Sequence, residues 1–371
     1  MRKIPLLVPE LPTAKELQPF LKRIDAARWY SNFGPLVLEL EGRLRETFQR
    51  DCRAPLSVCT VSNCTVGLEL ALQALDLKPG ARVLIPGLTF AATAAAVVRA
   101  GYEPVVADVD PGSWLLTPEI AKHACAKSRV DAVMPVSTYG CPQDPAAWDS
   151  FSGSTGIPVV LDAAGAYGNQ RAGERPALVF SLHATKVLSG AEGGFVVSPD
   201  AELVARVRQM SNFGIGAGGL VERPGTNAKL SEYHAAVVLA MLGRWDDGAK
   251  RRKELHRLYI AALAEHCPYA ILQQRPADGV YSIMPVLLPA GAHAADAGDK
   301  LLEQGIETRC WYCPAIHRHP AFSGATRAGT LDTVEALGDR LLALPFHLSL
   351  APDDVGHVCR RLQTVLGGAG R

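Results

Sequence analysis

Lys186 is the residue around which a chemistry can be built. It stands in FSLHATKVLSGAEGG (180–194), between an apolar run, Ala177 to Leu182, and a second that begins at Phe195. Glycines in such a turn let backbone approach a ligand closely, because no Cβ stands in the way. Burial between apolar strands favours the neutral amine, the form that attacks carbonyl carbon. A lysine taken alone reads as a solvated loop residue; four other groups change that reading. They are Asn63-Cys64-Thr65, placed to open a helix; Phe90, just past a strand; Asp162 in VVLDAAGA; and Ser181 in the lysine segment itself.

Backbone N–H groups at a helix start, with hydroxyls beside them, suit a phosphate. An aromatic ring suits a flat heterocycle, and a carboxylate at a strand end holds a ring nitrogen protonated. Singly, Thr65 reads as a helix cap, Phe90 as core and Asp162 as the cap of a turn. Jointly, phosphate, flat ring, protonated nitrogen and carbonyl carbon describe pyridoxal phosphate, whose ring is an electron sink.

Alternating elements must position these groups. A helix is expected over Ala14 to Ala27, then the loop RWYSNFGP (28–35) and a helix to Gln49. Short apolar strands follow at Leu56–Val61, Arg82–Pro86, Pro104–Ala107, Ala132–Val136 and Pro158–Leu161, with helices between them at Asn63–Leu75, Ala91–Ala100, Pro118–Ala126 and Pro145–Phe151. Apolar strands alternating with amphipathic helices predict an α/β fold with a mostly parallel sheet covered on both faces. In such a sheet ligands sit at the carboxyl ends of the strands, where Asn63 to Thr65, Thr89-Phe90, Tyr139, Asp162 and Ser181 to Lys186 all fall.

After Ser198 the reading gives a helix (Ala201–Met210), a glycine-rich loop ending at Asn227 and a helix at Glu232–Leu242. A long helix from Asp247 to His266 follows, with Leu255, Leu258, Tyr259 and Ala262 as its buried stripe and Lys250 to Lys253 as a solvated face. Beyond Pro268 come strand 281–288, helix 294–304, strand 306–309, helix 332–342, strand 343–346 and a terminal helix; Gly367 to Arg371 is expected to be a loose end. With 371 residues the chain is long enough for two domains. The division expected is a large cofactor-binding domain, 1–245 with its lead-in 1–30, and a smaller C-terminal α+β domain, 246–371.

Lys plus Arg at 38 against Asp plus Glu at 37 leaves the charge near zero, which argues against nucleic acid or an anionic membrane as partner. No run of about 18 apolar residues escapes a charge or proline, and prolines interrupt the N-terminus where a signal peptide needs an apolar core. Nine cysteines without regular spacing suit reduced thiols in a cytoplasm. Cys310 and Cys313, with His317 and His319, have metal-like spacing, but a single CxxC lacks the second half of a zinc site, and no metal is expected.

At this point the chain resembles the DegT/DnrJ/EryC1/StrS sugar aminotransferases, within fold-type-I pyridoxal-phosphate enzymes. The resemblance rests on FGPLVLELE (33–41), VSNCTVGLELALQAL (61–75), Val83 to Thr93, DVDPGSW (108–114), VVLDAAGA (159–166), FSLHATKVLSGAEGG and the run from Asn227 to Ala236. TRCWYCPAIHRHPAF and LPFHLSL resemble the family's C-terminal pocket segments. The resemblance implies that Lys186 is the Schiff-base lysine, Asp162 the pyridinium partner and Phe90 the stacked ring. Cys64, Thr65 and Ser181 correspond to phosphate contacts, and Asn227 to a residue reaching the phosphate from the neighbouring subunit of a homodimer. Phe33, Tyr139, Tyr312 and His317 are candidate substrate contacts.

Two positions depart from the family: Gly165 replaces a polar side chain near the cofactor hydroxyl, and Ser137 replaces a frequent histidine. Tyr167, Asn169 or a water is the alternative source of the bond lost at Gly165. The implied function is transfer of an amino group from an amino acid, glutamate, to a nucleotide-linked keto-deoxy sugar. The alternatives are a non-nucleotide cyclic ketone of keto-inositol or aminoshikimate type, and a cofactor-binding regulatory protein, for which no basic helix-turn-helix segment speaks.

Overall fold

The structure, a computed structural model, describes residues 3–367; of the expected loose end all but Gly367 lies outside the described residues. Helix α1 (Ala14–Ala27) opens with a capping box between Thr13 and Glu16. Helix α2 (Pro35–Gln49) starts from Gly34, which has no side chain to cap it. Glu232 does so instead, its two carboxylate oxygens accepting from the Leu36 and Val37 N–H groups at 2.8 and 2.9 Å.

The βα alternation then unfolds as β1 (Ser57–Val61), α3 (Cys64–Gln73), β2 (Arg82–Pro86), α4 (Ala91–Arg99), β3 (Glu103–Ala107) and α5 (Pro118–Lys127). It continues with β4 (Ala132–Val133), α6 (Pro145–Thr155), β5 (Val160–Asp162), β6 (Ala177–Ser181), β7 (Gly194–Ser198) and α7 (Ala201–Ser211). Two hydrogen-bonded groups, β1-β7-β6-β5 and β3-β2-β4, are joined by parallel bridges from Val133 to Val159 and from Val136 to Asp162. The result is one sheet in the order β1-β7-β6-β5-β4-β2-β3, in which β7 alone runs antiparallel to its neighbours. Strand residues alternate between the two faces: Leu84, Leu178 and Phe180 join the core under α2, α6 and α8 (Glu232–Gly243), while Val83, Ile85 and Val179 join that under α3, α4 and α7. Phe180 stacks on Phe195 at 4.8 Å and 13°, with Phe48 of α2 against both.

Helix α9 (Trp245–His266) leads into β8 (Ile271–Leu272), β9 (Met284–Leu287), α10 (Ala294–Glu303), β10 (Thr326–Arg327), α11 (Asp332–Gly338), β11 (Leu341–Leu344) and α12 (Pro352–Gly367). A third core holds residues of α9, β9, α10, β11 and α12, and Ile4 belongs to it: its N–H donates to the Gly305 carbonyl at 2.8 Å. Strand β10 instead pairs with β3 of the large sheet.

Several expectations for this half need correction. The helix expected to reach residue 342 ends at Gly338, because Leu341 to Leu344 are drawn into an antiparallel ladder with β9. No strand forms over 306–309; only single bridges remain, Ile306 to Ile4 and Arg309 to Ala343. The strand expected from Tyr281 begins at Met284. On α9 Leu258 is only half-buried and His256 takes its place in the stripe. Arg252 is no part of a solvated face: it turns in, donating to the Tyr281 carbonyl at 3.3 Å. No helix among the described residues is long and apolar enough to cross a membrane.

Candidate active site

Each candidate side chain sits where a strand ends. After β1, Asn63 caps α3, its Oδ1 accepting from the Val66 N–H at 2.9 Å. The N–H groups of Cys64 and Thr65 are left without a hydrogen bond to any described residue. Gly194 of β7 passes directly against this corner, where a Cβ would stand 2.8 Å from the Cys64 nitrogen. Ser181 pairs with Gly194 across the ladder, and its Oγ accepts from the His183 N–H at 3.2 Å.

Strand β5 delivers Asp162, 4% exposed. Its Oδ2 accepts from Thr93 Oγ1 at 2.8 Å and its Oδ1 from the Ala164 N–H at 3.1 Å. Phe90 is the N-cap of α4 and keeps 58% of its surface open, so a ring face is available. Tyr312 lies 6.1 Å from Phe90 and stacks on Tyr139 at 4.9 Å with planes 14° apart. Tyr139 holds that loop through its hydroxyl, which donates to the Trp311 carbonyl and accepts from the Tyr312 N–H at 3.1 Å. Lys186 follows β6 in a turn closed by its own N–H on the His183 carbonyl at 2.9 Å. The lysine is half-buried, and its Nζ makes no hydrogen bond to a described residue.

Lys186, Asp162 and Cys64 lie near enough for their charges to act on one another. Burial pushes the Lys186 ammonium below its usual range, against the opposing pull of Cys64 and Asp162. Burial pushes the Asp162 carboxyl up, while Thr93, the Ala164 N–H and Lys186 hold it down. The Cys64 thiol is raised by the same burial. A lysine shifted toward its neutral amine, near a buried carboxyl that accepts from Thr93 and the Ala164 N–H, pairs a candidate base with a candidate acid partner.

Three expected residues lie outside this cluster within the chain. Phe33 sits under the Arg208 guanidinium, 4.5 Å from it, at a cavity of about 700 Å³ with Arg206 and Asn212. His317 is buried, its Nε2 on Glu335 Oε1 at 2.7 Å. Asn227 is exposed on the loop after α7, its Oδ1 accepting from Lys229 Nζ at 2.8 Å. The Nε2 of His319 is turned to the Pro314 carbonyl, and among the described residues no His, Cys, Asp or Glu cluster is placed to hold a metal.

A Cβ at Gly165 would meet only Gly140, at an ordinary contact distance of 3.6 Å from its nitrogen, so the surroundings leave room for a side chain there. Tyr167 does not replace the missing side chain: it is core, edge-on to Trp245 at 4.7 Å. Asn169 is spent on the Gly140 and Val280 carbonyls and the Val280 N–H. Ser137 is turned away as well, donating to Gln170 Oε1 at 3.0 Å.

Residues 13–363 match the DegT/DnrJ/EryC1/StrS aminotransferase family. The chain belongs to that family. Protein Mb3436c of Mycobacterium bovis is 31% identical over 385 residues, covering 97% of this chain and 90% of that protein. The dTDP-4-amino-4,6-dideoxy-D-glucose transaminase of Escherichia coli is 28% identical over 372 residues, 97% of this chain and 98% of its own. The crystal structure of DesI in the presence of its TDP-sugar product matches with a TM-score of 0.89 at 30% identity, covering 100% of this chain and 94% of that one. The fold is that of pyridoxal-phosphate-dependent aminotransferases, and this chain is one of them.

The residues present fit the cofactor. The aminotransferase offers a phosphate the two unpartnered N–H groups at the head of α3, in a corner that only glycine at 194 keeps open. It offers a flat ring the free face of Phe90, a ring nitrogen the buried Asp162, and an aldehyde the unbonded Nζ of Lys186.

Proposed function

We propose that this aminotransferase moves the amino group of an amino acid, glutamate, to the keto carbon of a nucleotide-linked keto-deoxy sugar. What supports the reading is that Thr93, in the first turn of the helix that Phe90 caps, donates to the Asp162 carboxylate, with Lys186 and the free N–H groups of Cys64 and Thr65 at neighbouring strand ends. The names of the Escherichia coli relative and of DesI, both of nucleotide sugars, support the acceptor class. When bound, pyridoxal phosphate supplies a carbonyl carbon to take the amino group and a cationic ring to draw electrons.

The chain's own residues do the rest. The Cys64 and Thr65 N–H groups and the Ser181 hydroxyl hold the phosphate, and Phe90 fixes the plane of the ring. Asp162 keeps a proton on the ring nitrogen, because an ionised carboxylate in a low-dielectric pocket stabilises the cation opposite it. Lys186, its neutral amine favoured by burial, takes a proton at Nζ from one carbon and returns it to another. Tyr312, held by Tyr139, closes the pocket on the side of Phe90. The active unit in this reading is a homodimer, with the exposed Asn227 reaching the phosphate of the partner's site.

An acceptor panel tests the substrate class. Enzyme loaded with the amino group of glutamate and freed of donor should regain its original visible spectrum on addition of a nucleotide-linked 3-keto- or 4-keto-6-deoxyhexose. Recovery with a keto-inositol or aminoshikimate-type ketone alone would replace this reading by one in which the acceptor is a non-nucleotide ring.

The space at Gly165 gives a second expectation. Gly165→Gln should leave the amino-acid half-reaction nearly unchanged and slow the keto-sugar half-reaction by roughly tenfold or more, the scale on which a pocket senses small changes in fit. Stopped-flow absorbance separates the two half-reactions. An equal loss in both would mean that the glycine serves backbone or cofactor geometry, and the substrate-space reading would be dropped.

A further inference from the structure

Resting on the role given to Asp162 above, we infer that Thr93 is a positioning residue of the reaction: its hydroxyl, itself held by Thr89, orients the Asp162 carboxylate and keeps it ionised against the ring nitrogen. The geometry is that of a short relay. Thr93 Oγ1 lies 2.8 Å from Asp162 Oδ2 and 2.7 Å from Thr89 Oγ1. A hydroxyl carries one proton, so if Thr93 donates to the carboxylate, Thr89 donates to Thr93. All three side chains are buried, Thr93 completely and Thr89 and Asp162 at 3% and 4% exposure, so water does not substitute for a missing partner.

The relay solves a problem set by the fold. Asp162 ends a strand in the middle of the sheet, where burial favours the neutral acid, and a neutral acid does not hold a cationic ring nitrogen. Donors aimed at both oxygens oppose that preference: the Ala164 N–H on Oδ1 and Thr93 on Oδ2. They also fix the plane of the carboxylate, because the two bonds come from different elements, the turn after β5 and the first turn of α4. That same turn of α4 starts at Phe90, whose carbonyl accepts from the Thr93 N–H at 3.2 Å. The stacking ring and both threonines of the relay are therefore carried by five consecutive residues, Thr89 to Thr93, and any shift of the start of α4 moves them together. The other titratable groups acting on Asp162 are Lys186 after β6, Cys64 at the head of α3 and Tyr312 of the C-terminal loop. None of them donates a hydrogen bond to the carboxylate.

The test uses holoenzyme carrying cofactor labelled with nitrogen-15 in the ring, whose resonance reports protonation of that nitrogen directly. In Thr93→Val, nearly isosteric but without the hydroxyl, the ring nitrogen should lose its proton at a lower pH than in the native enzyme. kcat should fall roughly 10- to 100-fold, the scale of one hydrogen bond to a charged group, while the donor KM stays within about threefold. Thr93→Ser should restore both resonance and rate, and Thr89→Val should give a smaller shift in the same direction. An unchanged ring-nitrogen titration in Thr93→Val overturns the inference. If Thr93→Val does not fold, the Thr89→Val and Thr93→Ser resonances decide instead: a native titration in Thr89→Val would overturn the relay. Failure of the underlying reading looks different, since then Asp162→Asn itself would leave the ring nitrogen protonated.

Discussion

Lys186→Ala should bind the cofactor without the covalent anchor, lose the visible absorption of the native enzyme and lose turnover by about 10⁴-fold or more. In the proposed mechanism the lysine supplies both the nucleophile and the proton carrier, and a general base alone is worth roughly 10²- to 10⁴-fold. Borohydride reduction followed by peptide mapping should find the cofactor on Lys186 in the native enzyme and on no lysine in the variant. A retained band, or a label on another lysine, would remove Lys186 from the centre of the site. The same variant serves the proposed dimer. Mixed with an inactive Asn227→Ala subunit, it should regain part of the activity, because one of the two hybrid sites then holds both an intact lysine and an intact asparagine. No recovery after proven subunit exchange would mean that each site is built from one chain.

Asp162→Asn should fold and bind cofactor yet turn over roughly 10²- to 10³-fold more slowly, the cost of removing one preorganised charge partner. Its stability should move the other way. In the cofactor-free protein burial raises the carboxyl above its unfolded value, so its contribution is fully present below the unfolded value and is lost as pH rises through the folded one. At neutral pH the buried carboxylate is therefore a stability cost that asparagine removes. Urea unfolding of the cofactor-free proteins at pH 7 should show Asp162→Asn at least as stable as the native chain. A variant both inactive and clearly less stable would point to a structural role for the aspartate.

Much of this was legible in the chain itself. Strands such as Arg82–Pro86 are short apolar runs bounded by proline and glycine, and their punctuation carries their ends. Lys186, Asp162 and Phe90 stand out as candidates because each lies at or shortly after the end of such a run. What escaped reading depends on partners distant in sequence. The run LLAL (341–344) suits a helix as well as a strand, and only β9 decides between them. Arg252 looks like one more charge on a basic face until the Tyr281 carbonyl is placed beside it. Thr93 has a faint signal, its spacing of four from Thr89 across the start of α4, but its meaning comes from Asp162, which the sheet brings to it. The capping of α2 by Glu232 has no local signal at all, since Gly34 offers no side chain and the carboxylate arrives from α8.

Transfer of a nitrogen-15 label is the most direct test of the proposed reaction. Native enzyme given nitrogen-15 glutamate and a nucleotide-linked 4-keto-6-deoxyhexose should place the label in an amino sugar, seen by mass spectrometry, while Lys186→Ala places none. Label that remains in glutamate with every nucleotide-linked keto sugar offered, 3-keto or 4-keto, would contradict the proposed function.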